Sequence, residues 1–264
     1  MKTIKRLTLI YIILLAFTVL ITAVFCIPTS LVRENVEKSA MQIEKDGLWY
    51  KPLGIYLFQI DNMTDCQMLR MNASADSSRP VWAAMMAEQY ENVSDSLHPY
   101  YEVVENTKYI AHTGRTSSDQ YSNYARYWHG YQIFLRPLLT VFSYHTIIVI
   151  NYILLSQLIL FVIYASYRAM NGLFAITLGA SLIATNIFIV PLALQFSTCY
   201  YIALLGMALL MMRQEYASDK TKCLSLFFII GGITSYMDFL TTPILTLGMP
   251  LVVMMAIRKR MKRD

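Results

Sequence analysis

The second half of the chain leaves few folds open. From residue 137 to residue 257 it is almost continuously apolar, broken only by short polar links. Several of its runs approach the roughly 20 residues that a helix needs to cross the hydrocarbon core of a bilayer. Within lipid a backbone must satisfy its own polar groups, so such runs are read as helices. The whole sequence is 56% hydrophobic and only 15% charged, which excludes a single soluble domain. The net charge of +5 does not point to nucleic acid, because the basic residues flank apolar segments and no nucleic-acid-binding motif is present. The four cysteines, Cys26, Cys66, Cys199 and Cys223, show neither CxxC nor zinc spacing, so no disulfide framework and no metal centre is expected from them.

Taken in order, a short basic start precedes a first apolar run over residues 7–27. Its length and the lack of an A-x-A site favour an uncleaved span over a signal peptide. Further spans are expected at residues 145–167, 172–194 and 199–212. Residues 223–257 are too long for one crossing and divide at Pro243 into two more. The expected fold is all-α, a polytopic transmembrane helical bundle of about six spans with a large extracytoplasmic loop after the first. The domains are residues 1–27 (basic flank and first span), 28–130 (extracytoplasmic loop), 121–144 (interfacial amphipathic helix and lead-in) and 145–264 (five further spans and a basic C-terminus). Both termini then lie in the cytoplasm beside Arg168, Arg213, Lys220, Lys222 and the basic tail, while the short outer turns lack Lys and Arg.

Three places carry candidate chemistry. Asp61 and Asp65 stand four apart, one helical turn, and can bind a metal or share acid–base work; equally, Asp61, Asn62 or Thr64 can simply cap a helix running to residue 71. In YSNYARYWHGYQIFLRP, read as a helix from Tyr121 to Pro137, Tyr124, Tyr127, Trp128, Tyr131 and Phe134 form an aromatic stripe. Arg126, His129 and Arg136 form a second line beside it. This pattern suits a helix in the membrane interface, its cations facing either lipid phosphates or an anion-binding wall. Asp238 falls between the last two spans, at the outer interface, where an ionisable residue is a candidate functional group.

The order of one span, an outer loop with early acids, an interfacial helix and closely linked spans resembles the N-terminal module of GT-C-type membrane glycosyltransferases. The segments IDNMTDCQML, YARYWHGY with RPLL, and MDFLTTPILTLGMPL also resemble bacterial polytopic membrane proteins of no established activity. The first resemblance implies a polyprenyl-phosphate-linked sugar as donor and a cell-envelope acceptor, sometimes with a divalent metal. It implies Asp61 or Asp65 as base and Arg126, His129 or Arg136 as holders of the departing phosphate, with Asp238 as a further polar member. Proton removal and stabilisation of a phosphate leaving group are what such a transfer needs. Two other readings stand beside it. One is a transporter or flippase using Asn151, Gln157, Asn186 and Gln195 within its spans. The other is a non-catalytic membrane scaffold or assembly factor.

Overall fold

The computed structural model describes residues 2–92, 99–116, 119–237 and 242–262, and these are predominantly helical. They form two compact units, Met1–Tyr50 with Asp61–Ile147, and Lys51–Ile60 with Ile148–Asp264.

In the first unit α1 (Lys2–Phe25) is apolar and ends just before Pro28, which cannot donate the next helical hydrogen bond and disfavours helix at Ile27. The chain turns by 82° into α2 (Ser30–Asp46). Val32, Val36, Ser39, Ala40 and Ile43 recur at helical spacing to make the buried face of α2, which packs on α3 (Asn62–Ser74) and α5 (Pro99–Thr113). Between these two come α4 (Pro80–Met86) and β1 (Glu88–Glu91). The strand pairs antiparallel with β2 (Gln120–Asn123), placing Tyr90 opposite Tyr121. The expected outer loop is thus a folded module with a helical core. At its centre α3 is buried almost all round although it carries Asp65, Arg70 and Asn72.

One expectation for this unit is corrected. Residues 121–131 are not helical: β2 occupies Gln120–Asn123, turns follow, and α6 covers only Gln132–Leu139. His129 takes the left-handed backbone (φ +54°), which no α-helix tolerates.

The second unit holds α7 (Tyr144–Ala169) from Ile148 onwards, α8 (Gly172–Ala184), α9 (Leu194–Met212), α10 (Glu215–Ser218), α11 (Lys220–Met237) and α12 (Pro243–Met261). The centre of this unit is α9, packed against α11 and α12. The approach is close at Gly206, where a β-carbon would stand 2.9 Å from Ile230 Cδ1 and 3.2 Å from Pro250 Cγ. Among the described residues α7 and α9 are long and apolar enough to cross a membrane, and a third crossing is counted if the bent pair Ile10–Phe25 and Ser30–Asp46 is taken as one span.

The run expected as a span over residues 172–194 is broken. At Asn186 (φ +56°) the helix stops in a Schellman arrangement: the Ile187 amide donates to Leu182 O at 3.1 Å and the Asn186 amide to Ile183 O at 3.0 Å. A 3-10 turn at Val190–Leu192 follows. Its carbonyls are satisfied from neighbouring helices, Pro191 O by Asn151 Nδ2 at 2.7 Å and Val190 O by the Ser197 hydroxyl at 3.2 Å. Asn151 therefore holds helices together, as a lone amide in an apolar helix commonly does.

The C-terminal ends of α7, α9 and α12 meet. Arg260 donates to Ala169 O and, at 3.1 Å, to Met170 O; Arg258 Nε donates to Ala217 O at 2.6 Å; and Gln214 Nε2 reaches Ala169 O at 3.4 Å. So α8 leads away from this basic end and α9 leads back to it.

Candidate functional site

The interior of the first unit contains a chain of polar side chains around α3, and most of the candidate residues belong to it. Arg136, on α6, is fully buried. Its Nε donates to Val24 O (3.1 Å), Nη1 to Asn72 O (2.9 Å) and Asn72 Oδ1 (3.4 Å), and Nη2 to Ile27 O (2.8 Å) and the Thr29 hydroxyl (3.0 Å). A guanidinium has five N–H groups, and each has an acceptor here. Val24, Ile27 and Asn72 offer carbonyls from the C-terminal ends of α1 and α3, where unpaired carbonyls and the negative ends of two helix dipoles favour a cation. The Phe25 ring lies 5.1 Å below. Burial lowers the guanidinium pKa to about 10, so it stays charged at neutral pH.

His129 is buried as well. Nε2 lies 2.8 Å from Tyr124 O, which can only accept, so the proton sits on Nε2; Nδ1, 3.2 Å from the Tyr131 hydroxyl, is then the acceptor. Burial pushes this imidazole down to about 4, and burial likewise raises Tyr131 well above the usual phenol range. Tyr124, Tyr127 and Tyr131 gather round the ring with centroids 5.6, 6.2 and 5.8 Å away, and Trp128 meets Phe17 at 6.5 Å. The aromatic residues expected as one stripe on a helix are a cluster folded about a histidine instead.

The acidic pair has divided roles. Asp61 is the N-cap of α3: Oδ1 accepts from the amides of Met63 (2.9 Å) and Thr64 (3.1 Å), and Oδ2 from the Thr64 hydroxyl (2.8 Å). Asp65, one turn on, is 1% exposed and accepts from the Tyr144 hydroxyl at 2.6 Å. Arg126 is exposed, its guanidinium 5.4 Å from the Tyr127 ring. Asp238 lies outside the described residues. Among the described residues no group of three or more His, Cys, Asp or Glu stands together to hold a metal ion.

A second polar cluster escaped the sequence reading. Asp76 pairs with Arg79 (2.9 Å) and Arg115 (3.0 Å), while buried Glu88 accepts from Trp82 Nε1 at 2.8 Å and lies 3.7 Å from both arginines. The Ser78 hydroxyl first, then the two guanidiniums, hold Asp76 well below the usual carboxylate range. These residues are scattered over 40 positions, 76 to 115, so no spacing announces them.

The second unit holds a cavity of about 250 Å³ lined by residues of Lys51–Ile60, of the α8–α9 break and of α9, with Thr242; none of the five described candidate residues, Asp61, Asp65, Arg126, His129 and Arg136, lines it. No protein family matches this chain, nor does any curated protein or any solved structure.

Proposed function

We propose that the chain is a multi-pass integral membrane protein of about six crossings. In this reading both termini are cytoplasmic, α1 is the first crossing, the segment that follows it, residues 28–130, lies on the outer face in contact with membrane lipids, and the protein works as a non-catalytic scaffold or assembly factor. The observation that carries the functional part is Arg136. A phosphate holder needs donors to spare, and all five of its N–H groups are engaged on carbonyl and hydroxyl oxygens of the fold. Asp61 and His129 are similarly committed to backbone groups. In cells lacking the protein, an Asp61→Asn, Arg126→Ala double variant should restore the wild-type envelope phenotype. Failure to do so by a variant that accumulates and folds normally would remove the scaffold reading.

A sugar transferase using a polyprenyl-phosphate-linked donor is the second reading, and exposed Arg126 favours it. Its guanidinium rests on a tyrosine ring and can meet a phosphate without dismantling the fold. Release of polyprenyl phosphate by the protein in proteoliposomes, abolished by Arg126→Ala, would establish it.

A further inference from the structure

We infer that the cavity of the second unit is a binding site for one uncharged, hydroxyl-rich ring, the headgroup of a neutral glycolipid. Its volume of about 250 Å³ equals some eight waters at ~30 Å³ each, room for a single sugar ring. Its polar wall is made of Gln59, Thr185, Asn186 and Thr242, all neutral amides and hydroxyls. These donate and accept, which suits ligand hydroxyls that do both. Among the described residues no Lys, Arg or His lines the cavity, so a phosphate would find no cation among them. Phe196 and Tyr200 supply the apolar surface that the C–H faces of a sugar require.

Two further observations point the same way. The Thr242 hydroxyl is buried and has no hydrogen-bond partner among the described residues, a cost that a ligand hydroxyl would remove. The rim is apolar and open: Leu57, which lines the cavity, is 72% exposed, and the neighbouring Phe188 is held against Phe58 with ring centroids 5.2 Å apart. Acyl chains can follow that rim while the headgroup fills the polar recess. The cavity also sits where α8 gives way to α9, away from the basic end of the unit, as an outer-leaflet site requires.

The assignment rests on the second unit being embedded in a membrane, which resistance to carbonate extraction checks separately. The test of the site is native mass spectrometry of the full chain released from phosphatidylcholine nanodiscs. These contain minor, equal amounts of monoglucosyl diacylglycerol and phosphatidylglycerol. One glucosyl lipid should be retained per chain, in preference to phosphatidylglycerol. The double variant Thr185→Val, Thr242→Val should lower that retention about tenfold, the loss expected from a hydrogen bond or two. Equal retention of the two lipids by the wild-type chain overturns the assignment without any variant being needed. So does undiminished glucosyl-lipid retention in a double variant with an unchanged melting temperature.

Discussion

Arg136 shows how one buried cation can organise a unit. It ties the ends of α1 and α3 to α6 by filling carbonyls that each helix leaves unpaired. Arg136→Lys keeps the charge but brings three donors where five are used, and it should destabilise the first unit by about 2–3 kcal/mol, read from thermal unfolding. Arg136→Met should cost more, roughly 3–5 kcal/mol, because every acceptor is then stranded. His129 gives a pH signature. Its folded pKa, about 4, lies below the ordinary 6.5, so the unfolded chain binds the extra proton first. Its contribution is fully present above pH 6.5 and is lost as pH falls towards 4, by at most something on the order of 3 kcal/mol. Unfolding midpoints between those pH values should slope steeply for the wild type and clearly less for His129→Gln; equal slopes would assign the acid sensitivity elsewhere.

Among the elements, α3 decides what the acidic pair is for. An N-cap works through an accepting side-chain oxygen, not through charge, so Asp61→Asn should be nearly neutral and Asp61→Ala should cost about 1 kcal/mol of stability. A general base would show no such difference, with Asn as damaging to function as Ala, since neither can take a proton. A helix start was legible in the sequence, but Asp61, Asn62 and Thr64 are all capping residue types, and only the structure selects Asp61. That α3 lies in the interior was not, because its buried positions include Asp65, Arg70 and Asn72, and apolar periodicity cannot reveal a polar core helix. The same limit explains the two other differences. Aromatic residues three and four apart can line a helix or collapse around His129, and the spacing is identical in both cases. Asn186 ends α8 inside an apolar run, where only its tolerance of left-handed backbone distinguishes it. Asn186→Gly should leave stability within a few tenths of a kcal/mol, whereas Asn186→Val, forced to positive φ, should lose about 1–2 kcal/mol.

For the whole molecule the question is parity, the side on which each helix end emerges, and α8 is where it is decided. At 13 residues it spans only about 20 Å, short of a ~30 Å hydrocarbon core, so it crosses only if the broken segment after it completes the path. Backbone at that depth must be satisfied by protein, and Asn151 and Ser197 do this for the 3-10 turn. Were α8 a dead end instead, Arg168 and Arg213 would emerge on opposite sides, against the distribution of positive charge. The contacts joining Ala169, Gln214 and Arg260 put the ends of α7, α9 and α12 at one level, as an even number of passes between them demands. Fusions should therefore read as follows. A fluorescent cytoplasmic reporter attached after residue 170, 213 or 262 should be active, and an exported phosphatase should be active after residue 116 or 190. Phosphatase activity after residue 213 would mean that α8 enters and leaves on the same side, and the count would drop to an odd number of crossings. The cavity in the α8–α9 break would then lose the outer-leaflet position that the proposed glycolipid site requires, so a single set of fusions bears on both the proposed topology and the proposed site.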